Sequence, residues 1–131
     1  MKADYPTREQ TEGLCKLWQE AFGDNDAFLD AFWSTAFSSD RCRCITVDGE
    51  VAAALYWFDC RCENKPMAYL YAVATARSHR GKGLCKALME STHTHWYSFN
   101  AWALVVLLVL KRVKNIAQRF AVCTLQNTRC S

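Results

Sequence analysis

Apolar positions repeat every three or four residues near the start of the chain. Leu14, Leu17 and Trp18 follow this spacing, which predicts an amphipathic helix over residues 8–22 that begins at Thr7 with a capping box. A glycine and three polar residues then end this helix and cap a second one. The second helix carries an aromatic-rich stripe of Phe28, Leu29, Phe32, Trp33 and Phe37. Such a stripe predicts packing in a core.

The middle of the chain changes to a pattern of strands. Cys42–Val47 leads into Asp48-Gly49, a dipeptide typical of a two-residue hairpin turn, and an apolar return strand follows at Val51–Cys60. A third strand is predicted at Met67–Ala76, where both alternating faces are apolar, which indicates a central strand covered on both sides. Ala101–Leu110 predicts a further buried strand beside it.

The composition is that of one soluble globular domain. Of the 131 residues, 51% are hydrophobic and 22% are charged, and we interpret residues 1–131 as a single domain. The longest apolar run has ten residues, whereas a membrane-spanning helix needs about 20. The first residues lack the apolar core of a secretory signal. We therefore expect a cytoplasmic protein that has no membrane partner.

Charge is distributed unevenly along the chain. The net charge of +3 is too small to indicate a nucleic-acid partner. All 13 acidic residues lie at or before Glu90, and the residues after it carry five basic side chains and no acidic one. This distribution is unusual for a globular enzyme, and it marks the C-terminal part from about residue 96 as atypical.

Eight cysteines raise the question of a disulfide framework or a metal site. Disulfides are unfavourable in the reducing compartment expected here. The pairs Cys42-x-Cys44 and Cys60-x-Cys62 lack the C-x2-C spacing of structural zinc sites. A two-residue hairpin turn would place Cys42 opposite residue 55, several residues away from the second pair along the ladder. We therefore expect free thiols and no metal site.

The segment after the third strand combines a basic turn, two glycines and a helix. Gly81 and Gly83 lack Cβ, so a phosphate oxygen can approach the backbone closely. The following helix, which starts near Leu84, presents unpaired N–H groups and the positive end of its dipole. Four cations accompany the turn: Arg77, Arg80, Lys82 and Lys86. The combination predicts an anion-binding site, and a plain strand-to-helix turn with a solvated basic rim is the alternative.

Two common phosphate-binding motifs do not fit this turn. The P-loop requires G-x4-G-K-[ST], but Lys82 precedes Gly83 and no Ser or Thr follows. A dinucleotide fold requires G-x-G-x-x-G and an acidic residue about 20 positions later, but Lys86 stands in place of the third glycine. Both motifs are therefore excluded.

The stretch Leu70–Met89 closely resembles the acetyl-CoA motif of the GNAT N-acetyltransferase superfamily. That motif reads R/Q-x-x-G-x-G/A after a strand, and Arg80, Gly83 and Cys85 fill it, with Cys85 in place of the usual Gly or Ala. The order of elements over residues 8–90 is also similar to that of the family. The resemblance implies an α/β fold, in which helices flank both faces of a mixed, mainly antiparallel sheet with one V-shaped splay.

The resemblance also implies how acetyl-CoA would be bound. The backbone amides of residues 80–86 would hold the pyrophosphate, and Val73 and Thr75 would pair through their main chains with the pantetheine arm. The Val73 N–H would face the thioester oxygen. The implied acetyl-CoA-binding residues are Val73, Thr75, Arg80, Gly81, Lys82, Gly83, Leu84, Cys85 and Lys86.

The resemblance weakens towards the end of the sequence. The family's helix Y-x-x-x-G-[FY] carries a Tyr that protonates the leaving thiolate, but Ala117 stands at that position, and few residues follow Phe120. A truncated or frame-altered tail and a divergent subfamily both explain this difference. An incomplete sheet would leave an open edge, which favours a homodimer or a marginally stable chain.

The resemblance identifies no catalytic acid or base. Glu50, Asp59 and Glu63 are the carboxylates nearest the expected cleft, and each is a candidate base, directly or through water. Tyr97 is a candidate replacement acid. Four aromatic residues either line an acceptor pocket or pack in the core: Trp57, Phe58, Tyr69 and Tyr71.

These observations favour an N-acetyltransferase that uses acetyl-CoA as co-substrate. A small-molecule or protein amine would attack the acetyl carbonyl directly in a ternary complex, so alignment and carbonyl polarisation would be the protein's main contributions. A non-catalytic CoA-binding protein is the alternative. A basic interaction module around Lys111, Arg112 and Lys114 ranks below both, since the basic charges of the tail are few.

Overall fold

The described part of the chain folds into a four-stranded sheet with helices on both faces. The structure, a computed structural model, describes residues 2–62, 65–98 and 103–106, with side chains described for residues 2–59 and 68–92. The helices are α1 (Thr11–Phe22), α2 (Asp26–Thr35) and α3 (Leu84–Ser98); the strands are β1 (Cys42–Val47), β2 (Glu50–Cys62), β3 (Lys65–Thr75) and β4 (Ala103–Val106). Their order in the sheet is β1-β2-β3-β4. The first three strands pair antiparallel and β4 pairs parallel to β3, so the predicted mixed, mainly antiparallel sheet is confirmed.

The N-terminal helix forms as its spacing predicts. Residues 8–10 make a 3-10 turn, and the α-helix itself begins at Thr11. The Thr7 amide donates to the Gln10 side-chain oxygen at 2.8 Å, which is the predicted capping box. At the other end, Gly23 adopts φ +72° and donates to the Gln19 carbonyl at 2.9 Å. Both ends of this helical segment are therefore closed by local hydrogen bonds.

Two apolar layers fill the spaces above and below the sheet. On the side of α1 and α2, here called the α1 face, the indole of Trp18 is 2% exposed and its ring lies 4.8 Å from that of Phe32 and 5.1 Å from that of Tyr56. On the opposite side, the α3 face, Leu84 and Leu88 pack in a fully buried cluster with side chains of the strands. Most of the predicted aromatic stripe of α2 therefore belongs to the core, although Phe28 stays 41% exposed.

The hairpin between β1 and β2 forms at the predicted turn but with a shifted register. Asp48 and Gly49 adopt positive φ angles of 52° and 81°, as a type I′ turn requires. Further along, Ala52 is an extra residue of β2, because the pairing passes from Val51 directly to residue 53 across a β-bulge. The bulge places Cys42 opposite Tyr56. The predicted partner, residue 55, was wrong by one position.

The predicted strand Ala101–Leu110 is described only at Ala103–Val106. These four residues pair parallel with Met67–Leu70, so a strand beside β3 is confirmed there. The other predictions for the tail concern Ala117, Phe120 and the basic residues from 111 onward, and they lie outside the described residues, as does Glu63.

Two findings bear on the remaining predictions from composition. Cys15, Cys42, Cys44 and Cys85, the cysteines whose side chains are described, are free thiols. None of the helices in the described residues combines the length and the apolar character needed to cross a membrane.

Candidate functional site

The central strand β3 is interrupted by a β-bulge in its second half. Tyr71 pairs with Tyr56 and Ala74 pairs with Ala54, so Ala72 and the next residue together face one residue of β2. Ala72 adopts φ +52°, a left-handed conformation that is uncommon for residues other than glycine. The sequence prediction did not include this bulge, since an alanine carries no signal for it.

The bulge changes which face of the sheet the side chains reach. Leu70 lies in the α3-face core, Tyr71 and Ala72 both pack on the α1 face, and Val73 returns to the α3 face. The regular alternation therefore fails at two consecutive residues. A β-bulge re-aims side chains and backbone groups in this way, and bulges are frequent beside active sites.

Beyond the bulge, part of the main chain of β3 is directed away from β2. The Ala76 amide donates to the Ala52 carbonyl of β2 at 2.7 Å. Because backbone polar groups alternate in direction along the regular part of an antiparallel strand, those of Thr75 point away from β2. Within the described residues, β4 pairs with β3 only at Met67–Leu70.

A tight turn connects β3 to α3. Residues 77–79 form a 3-10 turn, in which the His79 amide donates to the Ala76 carbonyl at 2.9 Å. Gly81 and Gly83 follow with φ angles of +79° and +77°. The first hydrogen bond of α3 runs from the Ala87 amide to the Gly83 carbonyl at 3.0 Å. The predicted strand–turn–helix arrangement is therefore confirmed, and we call residues 80–86 the glycine turn.

The glycine turn has the properties of an anion site. The amides of Leu84, Cys85 and Lys86 precede the first hydrogen bond of α3, and they are among the donors that a helix N-terminus leaves without an intrahelical partner. A Cβ added at Gly81 or Gly83 would meet nothing within 4 Å, so the space beside the backbone is open. The first turn of α3 carries no acidic residue. Backbone, space and charge therefore all favour a bound phosphate group.

The side chains of the glycine turn take different positions. Lys82 and Lys86 are exposed, and the Lys86 ammonium forms a 3.8 Å ion pair with Glu90. Leu84 is 2% exposed and packs in the core, so only its backbone faces the turn. Burial raises the pKa of the half-buried Cys85 thiol, which keeps it protonated at neutral pH.

Two hydrogen bonds attach the glycine turn and the 3-10 turn before it to their surroundings. The Arg80 Nε donates to the Thr75 carbonyl at 3.3 Å, which folds this side chain back onto the end of β3. The Arg77 amide donates to a carboxylate oxygen of Glu20 in α1, also at 3.3 Å. The sequence prediction did not find Glu20, because it lies 57 residues from its partner and no local spacing connects the two.

Glu20 also lines an open groove of about 650 Å³ between α1, the β1–β2 turn and the end of β3. Ala76 and Ser78 belong to its wall. The groove therefore reaches the beginning of the segment that leads into the glycine turn.

Two of the candidate catalytic residues, Asp59 and Glu50, lie away from the bulge along β2. Leu55 faces the bulge of β3 across the ladder. Asp59 lies four residues after Leu55 in β2, about 13 Å along the strand, and Glu50 lies five residues before Leu55, with the bulge at Ala52 between them. The Asp59 carboxylate also accepts hydrogen bonds from Arg41 at 2.7 and 2.9 Å. Tyr97 belongs to the last turn of α3, but its side chain is outside the described part. Their assignment as acid or base stays a prediction.

The aromatic candidates divide between core and surface. Trp57 is 1% exposed and lies in the α3-face core. Phe58 and Tyr71 are partly buried on the α1 face, with their ring centroids 5.9 Å apart, and Tyr69 lies 6.5 Å from Phe58. Of the four, Tyr71 is next to the bulge, and Phe58 pairs with Tyr69 three residues from it.

Solved structures share this fold. A GCN5-related N-acetyltransferase from Kribbella flavida is 19% identical with a TM-score of 0.73, and the match covers 88% of this chain and 31% of that one. A putative acetyltransferase from Agrobacterium tumefaciens is 14% identical with a TM-score of 0.69, and the match covers 95% of this chain and 91% of that one. The GNAT family N-acetyltransferase YhbS from Escherichia coli, solved in complex with CoA, is 16% identical with a TM-score of 0.71. That match covers 90% of this chain and 66% of YhbS. The chain thus spans about a third of the length of the Kribbella protein, and at these identities the likeness concerns the fold.

A match to a family model assigns the chain to a protein family. A search of curated proteins found no match. The family model described as Acetyltransferase (GNAT) domain, however, matches residues 2–109, which include the bulged strand β3, the glycine turn and all of α3. The chain therefore belongs to the GNAT acetyltransferase domain family.

Proposed function

We propose that this protein transfers an acetyl group from acetyl-CoA to an amine by direct attack in a ternary complex. The observation that carries the proposal is the glycine turn at the start of α3, directly after a bulged strand whose outer main-chain groups are turned away from β2. The acceptor is a small-molecule or protein amine, and the protein acts in the cytoplasm without a nucleic-acid or membrane partner.

In this proposal the glycine turn binds the pyrophosphate of the co-substrate. The space beside Gly81 and Gly83 is open, and a Cβ at either position would narrow the approach of a phosphate group to the backbone. The amides of the first turn of α3 donate to its oxygens. Arg77, Arg80, Lys82 and Lys86 supply the positive charge that balances several phosphate charges.

The second half of β3 aligns the acyl end. The main-chain groups of Thr75 point away from β2, and in this proposal those of Thr75 and Val73 pair with the two amides of a pantetheine arm. The Thr75 carbonyl already accepts a hydrogen bond from Arg80, so pairing there requires Arg80 to turn towards the phosphates. The Val73 N–H then donates to the thioester oxygen and stabilises negative charge that develops on it.

Acetyl-CoA supplies an activated acyl group bound to a good leaving thiol. The neutral amine nitrogen forms a bond to the acetyl carbon, the carbon–sulfur bond breaks, and the electron pair leaves with sulfur. The amine proton passes to water or to a base, and the thiolate gains a proton. The protein contributes alignment of the two reactants and polarisation of the carbonyl, which together lower the barrier without a covalent enzyme intermediate.

A specific observation favours a second candidate, a CoA-binding protein without catalysis. Asp59 lies about 13 Å along the strand from the position opposite the bulge, and Glu50 lies five residues before that position, so neither is placed for direct proton transfer. A protein with an intact phosphate site and no acid or base at the acyl end would bind the co-substrate and release it unchanged.

The test is a thiol-release assay with acetyl-CoA and a panel of amines, together with calorimetric titration of CoA. The proposed function requires both CoA binding and amine-dependent release of free thiol, with acetylated amine identified by mass spectrometry. Binding without release supports the second candidate instead. Failure to bind CoA would contradict both.

A further inference from the structure

A carboxylate of α1 holds the segment that enters the glycine turn. The Glu20 carboxylate accepts a hydrogen bond from the backbone amide of Arg77, the first residue of the 3-10 turn. An amide at the start of such a turn has no partner within it, and the residue before it, Ala76, provides no side-chain cap. Glu20 therefore caps this turn from a different helix.

The position of Glu20 is fixed by the packing of α1. Its neighbours Leu17 and Trp18 are 4% and 2% exposed, so the helix is firmly seated on the sheet. Gly13 allows a close approach to β2, because a Cβ there would lie 2.9 Å from a methyl carbon of Val51. The Trp18 indole N–H also donates to Asp24 at 2.7 Å just beyond the helix. The carboxylate thus projects from a rigid support.

The adjacent residues of β3 are fixed to the sheet in a similar way. The Ala76 amide donates to the Ala52 carbonyl of β2, one residue before the bond to Glu20. The His79 amide then donates back to the Ala76 carbonyl. With the Glu20 bond in place, the chain leaves the sheet in one direction, which sets where Gly81 and Gly83 present their backbone.

The negative charge of Glu20 is unfavourable for phosphate binding, which its hydrogen bond to the Arg77 amide would support. A carboxylate near a site for phosphate groups repels the ligand, although solvent screens the repulsion at this exposed position. Its contribution to ligand binding must therefore come from geometry rather than from charge. We infer that Glu20 is a positioning residue for the phosphate site, which holds the entry to the glycine turn in the conformation that binds CoA; this rests on the proposed function.

The test compares two substitutions that separate geometry from charge. Glu20→Gln keeps a carbonyl oxygen that can accept from the Arg77 amide and removes the negative charge, whereas Glu20→Ala removes both. We expect Glu20→Gln to bind CoA as tightly as the unchanged protein or up to about threefold more tightly, and Glu20→Ala to bind about fivefold more weakly. Calorimetric titration measures both.

Glu12→Ala is the matched control, since Glu12 is also an exposed acid of α1 that lines the same groove. It is expected to leave CoA affinity within about twofold. If Glu20→Gln binds as weakly as Glu20→Ala, or if Glu20→Ala binds at least as tightly as the unchanged protein, the inference is wrong.

A second readout needs no ligand. Hydrogen exchange of the Arg77 amide should be slow in the unchanged protein and in Glu20→Gln, and about tenfold faster in Glu20→Ala, while exchange of the Ala76 amide stays the same. Equal Arg77 exchange in all three proteins would overturn the inference. If the unchanged protein does not bind CoA, the proposed function fails, and this measurement still decides whether Glu20 holds the turn.

Discussion

Two turns of this protein carry glycine in the same backbone conformation but differ in the element that follows and in the charge beside them. Gly49 in the hairpin has φ +81°, and Gly81 and Gly83 in the glycine turn have φ +79° and +77°. At all three, an added Cβ would meet nothing within 4 Å. Positive φ explains why each position favours glycine, but it does not by itself indicate a ligand.

The difference lies in the element that comes after each turn and in the charge beside it. The hairpin turn continues into β2, whose first residues pair with β1, and it is flanked by the acids Asp48 and Glu50. The glycine turn continues into the N-terminus of α3 and is flanked by cations. Helix amides and positive charge converge on the glycine turn and not on the hairpin, and this difference favours the glycine turn as the proposed phosphate site.

The largest expected effect comes from adding a side chain to the glycine turn. Gly83→Val should weaken CoA binding by at least about 100-fold, because its Cβ and methyl groups occupy the space through which a phosphate approaches the α3 amides. A β-branched residue at positive φ should also destabilise the fold, by about 1–2 kcal/mol. Calorimetric titration gives the affinity, and urea unfolding gives the stability.

Gly49→Val is the control for this substitution. It introduces the same strain at the hairpin and is expected to cost similar stability while leaving CoA affinity within about threefold. If both variants lose CoA equally, the loss arises from damage to the fold and the two turns do not differ in function. If neither loses it, the glycine turn is not the phosphate site.

A smaller effect is expected from salt. Raising ionic strength from about 0.05 M to about 0.5 M should weaken CoA binding about tenfold, since exposed cations of the glycine turn face several phosphate charges across solvent. Pantetheine, which lacks the phosphates, should show no more than about a twofold change over the same range. Equal salt dependence for the two ligands would show that the phosphates do not contact the basic turn.

The parts that could be predicted from the sequence depend on local spacing. The capping box at Thr7, the Asp48-Gly49 turn and the glycine turn each occupy a few consecutive residues whose types require one conformation. The bulge at Ala72 could not be found in this way, because both faces of β3 carry small or apolar residues and a shift of register leaves the hydrophobic pattern unchanged. The contact between Glu20 and Arg77 depends on how α1 packs on the sheet, which no local pattern records.

The smallest expected effect concerns the accessibility of two thiols, one within the glycine turn and one far along the sequence from it. Cys85 lies in the first turn of α3 and Cys15 in α1; both are half-buried, and burial raises the pKa of each, with Asp30 and Asp26 adding to the effect at Cys15. Since the thiolate is the reactive form, both should react with iodoacetamide more slowly than an unfolded chain near neutral pH and faster as the pH rises.

Saturating desulfo-CoA, which has no thiol of its own, should slow alkylation of Cys85 about threefold further and leave Cys15 unchanged, because a ligand on the α3 amides covers only Cys85. Mass spectrometry of the separate peptides measures both rates, and equal protection of the two thiols would indicate a general tightening of the fold in place of a ligand seated at the start of α3.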